Sequence, residues 1–160
     1  FSWPDKGFTP LIFIAFVPLL FIQYFFQDPK IKRKKLKIFG WFYLSMLIWN
    51  VGTTWWIYNS TDVGSFFALG LNSLFMAVIW LLFFITRKNF GPIISYSSLF
   101  FFWIAFEYLH LNWEISWPWL TLGNVFATHP AWIQWYEFTG VLGGTFWVLS
   151  ANIFFYVVSF

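Results

Sequence analysis

Five stretches of this chain are apolar for about the length of a bilayer crossing, and the charged residues are gathered almost entirely between them. The stretches are Phe8–Phe26, Ile38–Ile57, Gly64–Ile85, Ile93–Leu111 and Phe138–Phe160. A helix needs about 20 apolar residues to cross a hydrocarbon core of about 30 Å, so each qualifies as a candidate span. Pro10 and Pro18 fall in the first stretch, where proline is tolerated if neighbouring groups satisfy the freed carbonyl. Only 9% of residues are charged and 60% are hydrophobic, whereas soluble domains carry about a quarter charged residues. There is too little polar material to cover a water-soluble core, which excludes a soluble aromatic-rich binding module. The pattern predicts an all-α fold: a polytopic transmembrane helix bundle with about five spans, residues 1–160 forming part of one membrane domain.

The basic residues orient the spans. Of nine Lys and Arg, six lie in Lys30–Lys37, two are Arg87 and Lys88, and the ninth is Lys6. Two spans separate the basic loops, so both emerge on one side, which the positive-inside rule assigns to the cytoplasm. The opposite face receives residues 1–7, 58–63 and 112–137, whose only basic residue is Lys6. Polybasic runs also serve nucleic-acid and anionic-lipid binding. Lys30–Lys37 is short and close to two spans, which favours a topology signal and argues against a nucleic-acid partner. The absence of cysteine excludes disulfides, thiolate metal sites and a cysteine nucleophile within these residues. The chain opens on Phe1, shows no signal peptide and ends inside an apolar run, so it reads as an excerpt from a longer protein.

Residues 112–137 carry the most information. This connection of 26 residues contains Trp113, Trp117, Trp119, Trp132, Trp135 and Tyr136, although a link between two spans needs only a few residues. Indole rings favour the headgroup level, so the segment is expected to lie along the outer membrane surface, dipping in and out of it. Any single Trp fits an ordinary aromatic belt. Together with Pro118, Trp119, Leu120 and the Gly123-Asn124 break, they suggest a shaped surface able to hold acyl chains or a headgroup. Glu107 and His110 lie three residues apart on one helix face near the outer end of the fourth span. They form either a structural hydrogen-bonded pair or a polar site at the substrate surface. A di-iron bundle would need a second Glu-x-x-His and two more glutamates, which the chain lacks; no metal and no cofactor is expected. Glu137 is placed to complement the dipole of the fifth span. Glu114 and His129 read as solvated loop residues, and Gly140, Gly143 and Gly144 as permitting close helix packing.

Several of these residues resemble a known family. Phe106-Glu107-Tyr108-Leu109, then Trp117-Pro118-Trp119-Leu120 and Leu122-Gly123-Asn124, are similar to the N-terminal membrane domain of the apolipoprotein N-acyltransferases. Gln134, the run Thr139-Gly140-Val141 to Gly144 and Asn152, and the opening Phe1-Ser2-Trp3-Pro4 to Pro18-Leu19-Leu20 extend the likeness in the family's order. The Trp-rich composition and Trp135-Tyr136-Glu137 resemble the Bacteroidetes branch. The resemblance implies a multi-pass enzyme of the bacterial inner (cytoplasmic) membrane with residues 112–137 periplasmic. It implies transfer of an acyl chain from a phospholipid donor, through a cysteine thioester, to the amino-terminal cysteine of diacylglyceryl lipoproteins. A Glu-Lys-Cys triad in a nitrilase-like periplasmic domain would perform that chemistry. This chain contains no cysteine, so no catalytic residue is assigned within it and the segment by itself is expected to be inert. Its expected task is to position lipid substrates, with Trp119, Pro118, Trp117, Glu107 and His110 as the substrate-facing candidates. A non-enzymatic membrane protein, such as a transporter half or an assembly scaffold, is the alternative. Transporter sites cluster near the bilayer midplane, whereas the polar features here gather at one face.

Overall fold

The computed structural model describes residue 3 and residues 7–159. Lys6, the residues Phe1, Ser2 and Pro4 of the family-like opening, and Phe160 of the fifth stretch lie outside them. The described residues are helical and contain no strand, in keeping with the all-α expectation. Five α-helices occur among them: α1 (Val17–Phe25), α2 (Lys34–Thr54), α3 (Asp62–Phe90), α4 (Pro92–Asn112) and α5 (Tyr136–Val158). Three of these, α3, α4 and α5, combine the length and apolarity needed to cross a membrane. The other two differ from the simple picture of uninterrupted apolar spans. α2 has 21 residues, enough length, but its polar residues Ser45, Asn50, Thr53 and Thr54 dilute its apolar character. Those groups are neutralised locally, since the Ser45, Thr53 and Thr54 hydroxyls donate to the carbonyls of Trp41, Trp49 and Asn50.

The chain divides into two compact units, Ile22–Leu99 and the combination of Phe1–Phe21 with Phe100–Phe160. The first is built on the α2–α3 hairpin. Its α2 face buries Ile38, Phe42, Met46, Asn50 and Thr54, a four-residue repeat that forms a single ridge along the helix. Phe42 meets Trp80 with ring centroids 5.5 Å apart, and Asn72 Nδ2 donates to Asn50 Oδ1 at 2.6 Å. These pairings run antiparallel. They set the Lys34 end of α2 beside the Arg87–Lys88 end of α3, so the two basic clusters share one end of the hairpin.

The second unit begins with a broken helix. A 3-10 turn (Thr9–Phe13) and α1 take the place of one continuous span. In an uninterrupted helix the Phe16 N–H would bond the Ile12 carbonyl. Here the Asn152 carboxamide of α5 stands between them. Its Oδ1 accepts from Phe16 N at 2.7 Å and its Nδ2 donates to Ile12 O at 2.8 Å. The second Nδ2 hydrogen reaches Val148 O, also at 2.8 Å. A side chain inserted into the helical ladder is a recognised cause of a break, and every polar group involved is satisfied. Phe13 and Phe16, on either side of the break, pack on Trp147 and Trp103 with centroids 4.8 and 5.3 Å apart.

Asn152 is 1% exposed, so its loss removes the acceptor of the Phe16 backbone N–H inside the fold, at about 1–3 kcal/mol. Asn152→Leu is expected to lower the thermal midpoint of the detergent-solubilised protein clearly more than Ser150→Ala does. Equal melting of Asn152→Leu and the wild type would show that something else holds the break.

Candidate functional site

Glu107 lies near the end of α4 and is 2% exposed. One carboxylate oxygen, Oε1, accepts from the Trp103 indole N–H at 2.9 Å and from the Leu122 backbone N–H at 2.8 Å. The other, Oε2, accepts from the Thr145 hydroxyl of α5. The Thr145 oxygen in turn accepts from Gly123 N at 3.3 Å. One side chain thus ties three parts of the chain together: its own helix, the connection from α4 to α5, and α5. Burying a carboxylate is costly unless it is well hydrogen-bonded, and three donors meet that demand.

The connection is fastened a second time by close backbone approach. Gly123 and Gly144 face each other so tightly that a Cβ on Gly144 would stand 2.9 Å from the Gly123 Cα and would also run into the Tyr136 hydroxyl. A Cβ on Gly123 would collide with the Val141 carbonyl. The Tyr136 hydroxyl itself donates to Gly123 O at 2.9 Å. Close packing is therefore the role of Gly144, as expected from sequence. Gly140 has a different one: at φ 63° it interrupts the helical backbone of α5, with open space where a side chain would be.

The aromatic connection between α4 and α5 is folded on itself. Three 3-10 turns, Pro118–Leu120, Leu122–Phe126 and Pro130–Trp132, fold its middle inward. Leu120, Leu122, Val125 and Phe126 are buried, with Phe126 stacked on Trp147 at 4.9 Å. The apolar residues between the tryptophans supply this core, and their burial leaves other rings outside. Trp119 is 53% exposed. Pro118 opens its turn, and Asn124 Nδ2 closes that turn by donating to Pro118 O at 2.9 Å. Trp117 is half-buried, and its indole N–H has no hydrogen-bond partner among the described residues.

Glu107 and His110 share a helix face but do not bond each other. His110 Nδ1 accepts from the Trp113 indole at 2.8 Å, which places the ring proton on Nε2. The Ile115 backbone is a further partner of the ring, and Phe106 packs against it at 4.3 Å. His110 thus orders the start of the connection, and Glu107 orders its centre. Trp103, Thr145 and Tyr136 were not singled out for these roles from sequence. Trp103 carried a signal, four residues before Glu107 on the same face; the contact between Thr145 and Glu107 spans 38 positions and had none. Along α5, an open groove of about 510 Å³ is lined by Trp135, Thr139, Gly143, Phe146, Trp147 and Ser150.

Replacing Glu107 by Ala removes the acceptor that Trp103, Leu122 and Thr145 share, a loss of about 3 kcal/mol in local stability. Amide hydrogen exchange across residues 118–126 is expected to accelerate on the order of a hundredfold. Glu107→Gln, which keeps one oxygen acceptor, is expected to accelerate it far less. Unchanged exchange in Glu107→Ala would show that the carboxylate does not hold the connection.

No solved structure resembles the chain closely enough to count as a match. The chain is 31% identical over 156 residues to an apolipoprotein N-acyltransferase of Chlorobaculum tepidum, covering 95% of this chain and 27% of that protein. It therefore spans about a quarter of the length of the curated relative it matches. Residues 1–154 match the family described as the apolipoprotein N-acyltransferase N-terminal domain. With that match running over nearly all its residues, and with apolar helices of membrane-crossing length, the chain belongs to the apolipoprotein N-acyltransferase N-terminal domain family of membrane proteins.

Proposed function

We propose that the full-length protein is an acyltransferase of the bacterial inner membrane, and that these 160 residues handle the lipid ends of its substrates. In this reading a phospholipid donates an acyl chain to a cysteine thiolate, releasing a lysophospholipid and forming a thioester. The free α-amino group of a diacylglyceryl lipoprotein then attacks the thioester carbonyl, yielding the N-acyl product and regenerating the thiol. The chain has no cysteine, so that chemistry is assigned to residues beyond it, in a Glu-Lys-Cys triad of a nitrilase-like domain. The connection between α4 and α5 would face the periplasm, with both basic clusters of the α2–α3 hairpin on the cytoplasmic side.

The observation that carries this reading is the fastened connection with an exposed tryptophan. A lipid substrate must keep its acyl chains in the bilayer while its ester or amine is presented to the nucleophile. Holding a reacting group in place lowers a barrier by several kcal/mol, provided the holder itself does not move. Trp119 supplies a broad amphipathic ring for substrate contact, and Pro118 and Trp117 set its turn. Glu107 and His110 are positioning residues that act through the connection. The groove along α5 offers an acyl chain a track beside the same connection.

Trp119→Ala in the complete enzyme, at equal membrane abundance, is expected to lower kcat/KM for lipoprotein acylation about tenfold, the equivalent of ~1.4 kcal/mol. Trp119→Phe is expected to retain most of the activity. Acylation by Trp119→Ala at the wild-type rate removes Trp119 from substrate handling.

A further inference from the structure

From sequence alone, Lys30–Lys37 and Arg87–Lys88 need be no more than a topology signal. The fold adds three facts that such a signal does not require. First, the runs converge. The antiparallel register of Phe42 with Trp80 and of Asn50 with Asn72, continued by two turns, brings the Lys34 end of α2 level with Lys88. Lys30, Lys32, Arg33, Lys34, Lys35, Lys37, Arg87 and Lys88 thereby gather at one end of one hairpin.

Second, this charge is almost uncompensated. Ile22–Leu99 contains two acids, Asp28 and Asp62. Asp62 opens α3 at the far end of the hairpin, and Asp28 Oδ1 is taken by the Lys30 backbone N–H at 2.8 Å. The first turn of α2 holds lysines and no acid, and no side chain caps it. The helix dipole disfavours that arrangement, and a bound anion relieves it.

Third, one cation is held in place without an acceptor. Gly91, at φ 80°, turns the chain from α3 directly into α4 and sets Tyr96 beside Arg87. The Arg87 guanidinium carbon lies 5.1 Å from the Tyr96 ring centroid. Its Nη1 is buried and has no hydrogen-bond partner among the described residues. Arg87 as a whole is only half-buried, so the ring and the enclosed Nη1 orient the guanidinium while its remaining surface can meet a phosphate oxygen.

We propose that this end of the α2–α3 hairpin binds the phosphate headgroup of an anionic phospholipid, with Arg87 as its oriented contact and Lys88 and the lysines of α2 around it. The depth fits. With 29 residues, α3 is about 43 Å long against a hydrocarbon core of about 30 Å. Its last turn, which carries Arg87 and Lys88, therefore reaches the headgroup layer. Anionic headgroups interact favourably with each Lys or Arg near the surface.

The test uses the full-length protein reconstituted in an equimolar mixture of phosphatidylglycerol and phosphatidylcholine, with mass spectrometry of the lipid that remains bound after mild detergent extraction. Phosphatidylglycerol is expected to be enriched over phosphatidylcholine about fivefold or more, and high salt is expected to erode the enrichment. Arg87→Gln combined with Lys88→Gln is expected to bring the ratio close to that of the bulk mixture. Should that variant fail to reach the membrane, Tyr96→Leu keeps every charge and is expected to reduce the enrichment by loosening Arg87. Wild-type protein retaining both lipids equally overturns the proposal, as does undiminished enrichment in the variant that can be assayed. Inorganic phosphate is titrated in a separate arm. If it displaces the bound phosphatidylglycerol and raises the thermal midpoint as far as the lipid does, the site belongs to free phosphate and the lipid assignment falls.

Discussion

Hydrocarbon offers no hydrogen bonds, so every polar group carried into it must find its partner inside the protein. Helices meet that requirement for their own backbone, and difficulty arises wherever the chain departs from a helix. Two such departures among the described residues are the break before α1 and the long connection between α4 and α5. Each relies on a buried polar side chain. The Asn152 carboxamide bridges the Ile12 carbonyl and the Phe16 N–H that the break leaves unjoined. The Glu107 carboxylate takes up the Leu122 N–H from within the connection. Both residues contact α5, Asn152 from within it and Glu107 through Thr145, so one helix supports both irregular segments. The residues that make irregular backbone tolerable are the ones that give the domain its shape.

The same constraint explains what the sequence discloses. Helix content and the approximate placement of α3, α4 and α5 follow from run length and the scarcity of charge, because apolar length is a one-dimensional property. The break between Thr9–Phe13 and α1 was signalled by Pro10 and Pro18, but proline within a membrane helix is equally compatible with a mild kink. What decides for a full break is an amide on α5, 136 positions away from Phe16. α2 shows the converse. Ser45, Thr53 and Thr54 make it look less apolar than its neighbours, yet each hydroxyl is absorbed by its own helix.

For the candidate site, the sequence discloses residue types better than partners. Glu107 stood out because an acid near the end of an apolar stretch is costly and calls for an explanation. Its nearest sequence neighbour with a polar side chain on that face, His110, suggested a pair. The pairing fails because each has a better partner: the Leu122 N–H and the Thr145 hydroxyl reach Glu107, and the Trp113 indole reaches His110. The connection reads as uniformly amphipathic because tryptophans are spread through it. The structure separates Leu120, Leu122, Val125 and Phe126, which fold inward, from Trp119, which stays out. That division follows from the turns at Pro118 and Leu122 and from the space made by Gly123 and Gly144, and no periodicity in the sequence marks it.

Rigidity in the connection bears directly on what an exposed tryptophan can contribute. A ring on a mobile loop must be ordered each time it meets a ligand, and that ordering is subtracted from the contact. The Trp119 turn is already closed by Asn124 on Pro118, anchored one residue later by buried Leu120, and tied to α4 and α5 through Glu107. Most of the ordering is therefore done before any ligand arrives. Lipids are flexible, so one rigid partner limits how much freedom the encounter removes. A buried carboxylate costs stability that an apolar side chain in its place would not. Its presence under the connection, with all its oxygens occupied, is what one expects of a segment whose shape matters more than the stability given up to fix it.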